Sequence, residues 1–171
     1  MSRAEAAAGE LVEVVDEGGR VLETVTRAEM RRRRLRHRTV FVAVVDPDDR
    51  RRLVHRRAVW KATAPGGWDI AFGGVVAAGE AWDDAAAREL EEEAGVRAPL
   101  ESLGAGTYED DAVAEVCRVY RARSEGPFTF ADGEVTEVAW VELDAVRAWL
   151  DGRQVCPDSV AVVLPRLGPT S

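Results

Sequence analysis

Gly74-Val75-Val76-Ala77-Ala78-Gly79-Glu80-Ala81-Trp82-Asp83-Asp84-Ala85-Ala86-Ala87-Arg88-Glu89-Leu90-Glu91-Glu92-Glu93-Ala94-Gly95-Val96 reads as a glycine loop followed by a helix loaded with carboxylates. At about 100° per residue, positions i, i+3 and i+4 are neighbours on a helix, so Glu89, Glu92 and Glu93 share one arc of its surface. Leu90, Ala87 and Ala94 cluster on another arc and predict a slim apolar stripe for packing. Like charges crowded on a helix destabilise it unless a cation sits among them, and hard carboxylate oxygens suit Mg2+ or Mn2+. Arg88 is placed to orient a carboxylate through a fork of charge-assisted hydrogen bonds. Gly95 suits the left-handed residue that closes a helix. Glu80 stands where a negative charge either meets the dipole of the helix N-terminus or supports the metal-binding carboxylates.

The stretch resembles the signature of the Nudix hydrolases, G-x5-E-x7-R-E-U-x-E-E-x-G-U with U aliphatic, and every fixed position is filled in register. The resemblance covers about residues 37 to 150. It implies a Nudix-type α/β/α sandwich around a mixed β-sheet, and metal ligation by Glu89, Glu92, Glu93 and the carbonyl of Gly73, where a strand ends in the paired glycines Gly73-Gly74. It also implies a further carboxylate from a loop across the site. In the segment from Asp132 to Trp140, Glu134 is the first choice for that group and Glu137 the second, with Glu115 the third.

The order of elements predicts the same architecture. Residues 11 to 15 and 21 to 25 read as strands joined by the turn Asp16-Glu17-Gly18-Gly19. Thr26-x-x-Glu29 opens a short helix into the arginine run at 31 to 34. Residues 39 to 45 form a buried-type strand, and Asp46-Pro47-Asp48-Asp49 turns it into another at 52 to 55. After the carboxylate helix, strands are expected at 104 to 109, 112 to 123 and 135 to 141, and helices at 143 to 150 and 159 to 164. The alanine-rich residues 1 to 9 read as a flexible tail, and residues 10 to 171 as one domain.

Composition bounds the partners. The chain has 171 residues, a formal net charge of -8 and a pI near 4.9. That is enough length for one core, and a charge that argues against bulk binding to nucleic acid or acidic membrane surfaces. Cys117 and Cys156 have neither CxxC nor zinc spacing, and reduced thiols in a cytoplasmic protein are expected. No run of residues approaches a membrane span. The basic stretch from Arg31 to Arg38 is read as a solvated helix face, and the five tryptophans chiefly as core aromatics. A homodimer through the N-terminal hairpin would cover an unpaired strand edge.

The flanks are similar to the branch of the superfamily that contains type I isopentenyl diphosphate isomerase. There an Arg-x3-Lys pair grips the substrate diphosphate, which carries over to Arg57 and Lys61, the sole lysine of the chain. His37 and Glu115 fall on two of the isomerase's metal-ligand positions. Gly73 and Val75, however, stand where the isomerase has its catalytic Cys and a nearby His.

Together these features imply a divalent-metal-dependent hydrolase cleaving a phosphoanhydride bond of a nucleoside diphosphate linked to another moiety, with Glu89 or Glu134 as general base. An isopentenyl-diphosphate-isomerase-like enzyme and a non-catalytic diphosphate-ligand sensor are the alternatives.

Overall fold

The computed structural model describes residues 1–130 and 132–168, so the last three residues of the expected domain lie outside the described residues. Its hub is β3 (His37–Val45), buried at all nine positions. Strand β8 (Ala114–Arg123) runs parallel to β3 along its whole length, and β6 (Phe72–Val75) runs antiparallel along residues 39 to 42. Two partners on the same residues must occupy opposite edges, and with both faces of this central strand covered, residues 40 to 45 run Val-Phe-Val-Ala-Val-Val with no polar interruption. Strand β7 (Leu100–Glu109) extends the sheet beyond β8.

A tight connection at Val45 and Arg52 leads from β3 into β4 (Arg51–Arg57), which is flanked by β9 (Val135–Glu142) and the short β5 (Trp68–Asp69). Asp46 makes that connection. Its Oδ1 accepts from the backbone N–H groups of Arg50 and Arg51, at 2.7 and 3.0 Å. The sheet is therefore mixed, β3 and β8 running parallel and the other named strand pairs antiparallel.

Alternation along the strands sorts side chains onto two faces. Val40, Val42, Val44, Leu53 and Phe72 face α3 (Trp82–Ala94) through Ala85, Ala86, Leu90 and Ala94. Phe41, Ala43, Val54 and Val119 face the opposite way, toward α4 (Val146–Leu150) and α5 (Pro157–Val163). This is the expected α/β/α sandwich. One detail of the stripe differs: Ala87 is exposed, and the buried alanines of the first turns are Ala85 and Ala86. The reason is that Ala86, Leu90 and Ala94 follow the i, i+4 ridge, and Ala87 lies a further 100° round.

The hairpin of β1 (Leu11–Val15) and β2 (Val21–Thr26) is fixed to the core through β1, Val14 pairing with His37 and Val12 bridging to Ala77 of the glycine loop. Asp16 builds its turn by accepting from the N–H groups of Gly18 and Arg20. β1 is thus covered on both edges, and the free edge belongs to β2, which exposes Leu22. Helix α2 (Arg27–Arg32) starts at Thr26, whose hydroxyl accepts from the Glu29 N–H. Residues 1 to 9, expected as a tail, carry the helix α1 (Arg3–Gly9), started by a reciprocal capping box between Ser2 and Glu5. No helix among the described residues is long and apolar enough to cross a membrane.

Candidate active site

The site forms where α3 crosses the paired glycines of β6. A Cβ on Gly74 would sit 2.6 to 2.8 Å from the carboxylate atoms of Glu89, and one on Gly73 would sit 1.9 Å from the carbonyl oxygen of Val40. The two glycines therefore have different reasons. Gly74 makes room for a carboxylate, and Gly73 makes room for the neighbouring strand.

Arg88 organises the helix face. Its Nε and Nη2 donate to the two oxygens of Glu80 at 2.8 and 3.0 Å, and its Nη1 donates to Glu89 Oε1 at 2.6 Å and reaches Glu92 Oε2 at 3.4 Å. Glu80 in turn accepts from the Ala77 N–H at 3.0 Å, so it closes the glycine loop. The hydrogen-bonded Arg88 fork holds Glu80 below the usual carboxylate range. Glu80 is thus linked through Arg88 to Glu89, and no side chain caps the start of α3. Arg88 is a positioning residue here. Buried Arg38 completes the scaffold, its guanidinium donating to the carbonyls of Glu80 and Ala77 and pairing with Glu13 at 2.7 Å.

The three predicted helix carboxylates are not equivalent. Glu89 is buried and Glu92 exposed. Burial raises Glu89, with Arg88 opposing and the charge of Glu92 reinforcing the shift. Burial, then repulsion from Glu89, pushes Glu93 up to about 8, and its Oε2 accepts from the Gly73 N–H at 3.3 Å. A desolvated carboxylate pair, with Glu89 raised despite its Arg88 contact and Glu93 held by an N–H donor at 3.3 Å, is a place where a hard cation is stabilising. Among the described residues, no three His, Cys, Asp or Glu side chains are already arranged as a metal cage.

Across from Glu93 lie Arg57, Lys61 and Glu134, around a gap of about 10 Å³, room for the centre of a single water molecule. Lys61 Nζ donates to Glu134 Oε2 at 2.6 Å. Arg57 is held by the Thr63 carbonyl at 3.0 Å and lies 3.6 Å from Asp69 Oδ2. The structure brings Lys61, Arg57 and Glu134 to one place. It does not bring Glu137, which pairs with Arg56 at the surface. Nor does it bring Glu115, which shares the opposite sheet face with Cys117, toward α5.

His55 was missed in the sequence. It lines the same gap, stacks on Phe72 at 4.3 Å, and keeps a buried Nδ1 without a partner among the described residues. Burial lowers it to about 4, so it is neutral. Asp69, which pairs with His55 across β4 and β5, was missed too. Period-2 spacing from Arg57 back to His55 was the available signal.

The NUDIX domain family matches residues 35–158. Nudix hydrolase PA4841 of Pseudomonas aeruginosa is 36% identical over 161 residues, covering 94% of this chain and 95% of that protein. Nudix hydrolase SCO1686 of Streptomyces coelicolor is 42% identical over 136 residues, covering 78% of this chain and 73% of the relative. Among solved structures, DR0079 of Deinococcus radiodurans superposes with a TM-score of 0.79 at 22% identity, covering 93% of this chain and 99% of that one. The chain belongs to the Nudix family and is an enzyme of the Nudix hydrolase class.

Proposed function

We propose that the enzyme hydrolyses a phosphoanhydride bond of a nucleoside diphosphate linked to another moiety, with Mg2+ or Mn2+. The observation that carries this reading is the desolvated pair Glu89 and Glu93, backed by glycine and faced by Arg57 and Lys61. Glu89, Glu92, Glu93 and the Gly73 carbonyl are the proposed ligands, since their donor set is all hard oxygen. Such an ion, when bound, neutralises diphosphate charge and makes water more acidic.

Arg57 and Lys61 hold the phosphoryl group that does not react, spending binding energy on position. A phosphate oxygen at Lys61 competes with Glu134, which frees that carboxylate to take a proton from the attacking water; Glu89 is the alternative base. The isomerase reading is opposed by Gly73. With Val40 O only 1.9 Å from where a Cβ would sit, a cysteine has no room there unless β3 moves.

A phosphate-release screen over nucleoside diphosphate derivatives, dinucleoside polyphosphates and isoprenoid diphosphates, run with Mg2+, Mn2+ or EDTA, tests the reading. Turnover of a nucleoside diphosphate derivative that disappears in EDTA is expected. Full activity in chelator, or deuterium uptake from heavy water into isopentenyl diphosphate, would overturn it.

A further inference from the structure

On the α5 side of the sheet lies a second cavity of about 300 Å³, walled by α2, the turn between β7 and β8, the start of α5 and residues 62 and 63. This is about twice the volume of an engineered protein cavity that takes up benzene, and lies at the lower end of the range for ligand pockets. Resting on the hydrolase reading, we propose that this cavity receives a planar heteroaromatic ring of the substrate, a nucleobase, whose diphosphate runs past Arg57 to Lys61 and Glu93.

Continuity with the diphosphate site is the first argument. Lys61 lines the gap at Glu93, and the next two residues, Ala62 and Thr63, line the larger cavity. Arg57, which lines the gap, connects the two spaces through its Nε, which donates to the carbonyl of Thr63 in the cavity wall.

The wall chemistry is the second. Met30, Leu35, Val113 and Pro157 offer apolar surface for the faces of a ring. Between them stand two acceptors. The Leu35 carbonyl can only accept, so His37 Nδ1, 3.0 Å away, is the donor. In that tautomer Nε2, 3.7 Å from Glu115 Oε1, carries the lone pair of the ring. Asp158, whose Oδ1 accepts from the Ser159 N–H at 2.8 Å, lines the same cavity. A hydrocarbon chain would desolvate both acceptors with nothing to offer them, whereas the ring and amino N–H groups of a base match them. Arg31 and Arg34 at the wall disfavour a cationic ligand.

Calorimetric titration of the metal-free protein with AMP, GMP, CMP and UMP tests this without requiring turnover, so it is independent of whether hydrolysis is observed. At least one nucleotide is expected to bind wild type. Val113→Trp, which fills the cavity, and His37→Phe, which removes an acceptor at similar size, are each expected to weaken that binding tenfold or more, while Trp60→Ala at the exposed loop leaves it unchanged. His37→Phe decides the matter if Val113→Trp fails to fold. Binding of none of the four, wild-type affinity in the folded variants, or loss of binding only in Trp60→Ala would overturn the assignment.

Discussion

Lys61 Nζ and Glu134 Oε2 lie 2.6 Å apart, so the expected phosphate clamp and the expected distal base neutralise each other across the mouth of the site. An anionic substrate must exchange with that carboxylate. Lys61→Met is accordingly expected to raise KM for the diphosphate substrate tenfold or more with kcat within about threefold, the pattern of a binding group. Glu134→Gln frees Lys61 and removes a base, so kcat should fall on the order of 10^2-fold with KM unchanged or lower. Steady-state kinetics at saturating Mg2+ check both. Equal changes in KM alone for the two variants would reduce the pair to a structural tie.

Gly73 and Gly74 are adjacent yet separable. Gly74→Ala places a methyl group 2.6 Å from Glu89 Oε1, the end of a side chain that can turn away. Activity is expected to fall at least 10^2-fold with the melting temperature nearly kept. Gly73→Ala instead drives its methyl into the Val40 backbone at 1.9 Å, in the middle of the sheet. That strain is expected to cost on the order of 2 kcal/mol or more and to lower the melting temperature by several degrees. Thermal melts beside activity assays check the contrast.

Much of this arrangement was legible because periodicity is local. The 3.6-residue spacing of Leu90 and Ala94 and the alternation in β8 each point at a partner surface without naming it. What stayed hidden depends on which strands meet. The period-2 spacing of His55 from Arg57 puts the two on one face of β4, but that this face lines a site depends on β5 and β9 lying beside it, which residues near 55 do not encode. Glu115, the third choice for the distal carboxylate, lies inside β8. Its parity with Cys117 and Val119 sends it to the other side of the sheet. Arg52 is wholly buried with no hydrogen-bond partner among the described residues, and the structure gives no physical account of it.

Stability should follow pH in a dome set by His37 and Glu115, which lie 3.7 Å apart. Burial lowers His37 to about 4 from 6.5, so the unfolded chain binds more protons between these values, and stability is lost as pH falls from about 6.5 through about 4. His55 acts in the same direction. Burial, then the charge of Asp158, raises Glu115 to about 8 from 4.5, so the folded protein holds the extra proton and stability is lost as pH rises through that window. Glu93, raised to about 8, and Asp158, raised to about 6, act with Glu115, so Glu115→Gln is expected to make the alkaline arm shallower, and His37→Gln the acid arm that His55 shares. Urea melts from pH 4 to pH 9 measure both, and parallel curves for wild type and variants would show that these groups are not linked to folding.

Glu93 separates the cost of the site from its use. Its carboxylate is enclosed, repelled by Glu89 and held by one N–H donor at 3.3 Å, so the metal-free protein bears a desolvation penalty that a cation would offset. Mg2+ or Mn2+ is therefore expected to raise the melting temperature of wild type, by an amount that grows with concentration. Glu93→Gln keeps the size and helix propensity of the side chain and removes its charge. The expected results are a kcat loss on the order of 10^2-fold or more, a smaller melting shift with metal, and an apo melting temperature equal to or above that of wild type. Leu90→Gln is the control on the opposite arc, where Leu90 is 1% exposed in the core. An unpaired amide there is expected to destabilise by several kcal/mol whether or not metal is present. If Glu93→Gln unfolded the protein while Leu90→Gln were tolerated, the face of α3 assigned to chemistry would be the one that holds the fold together.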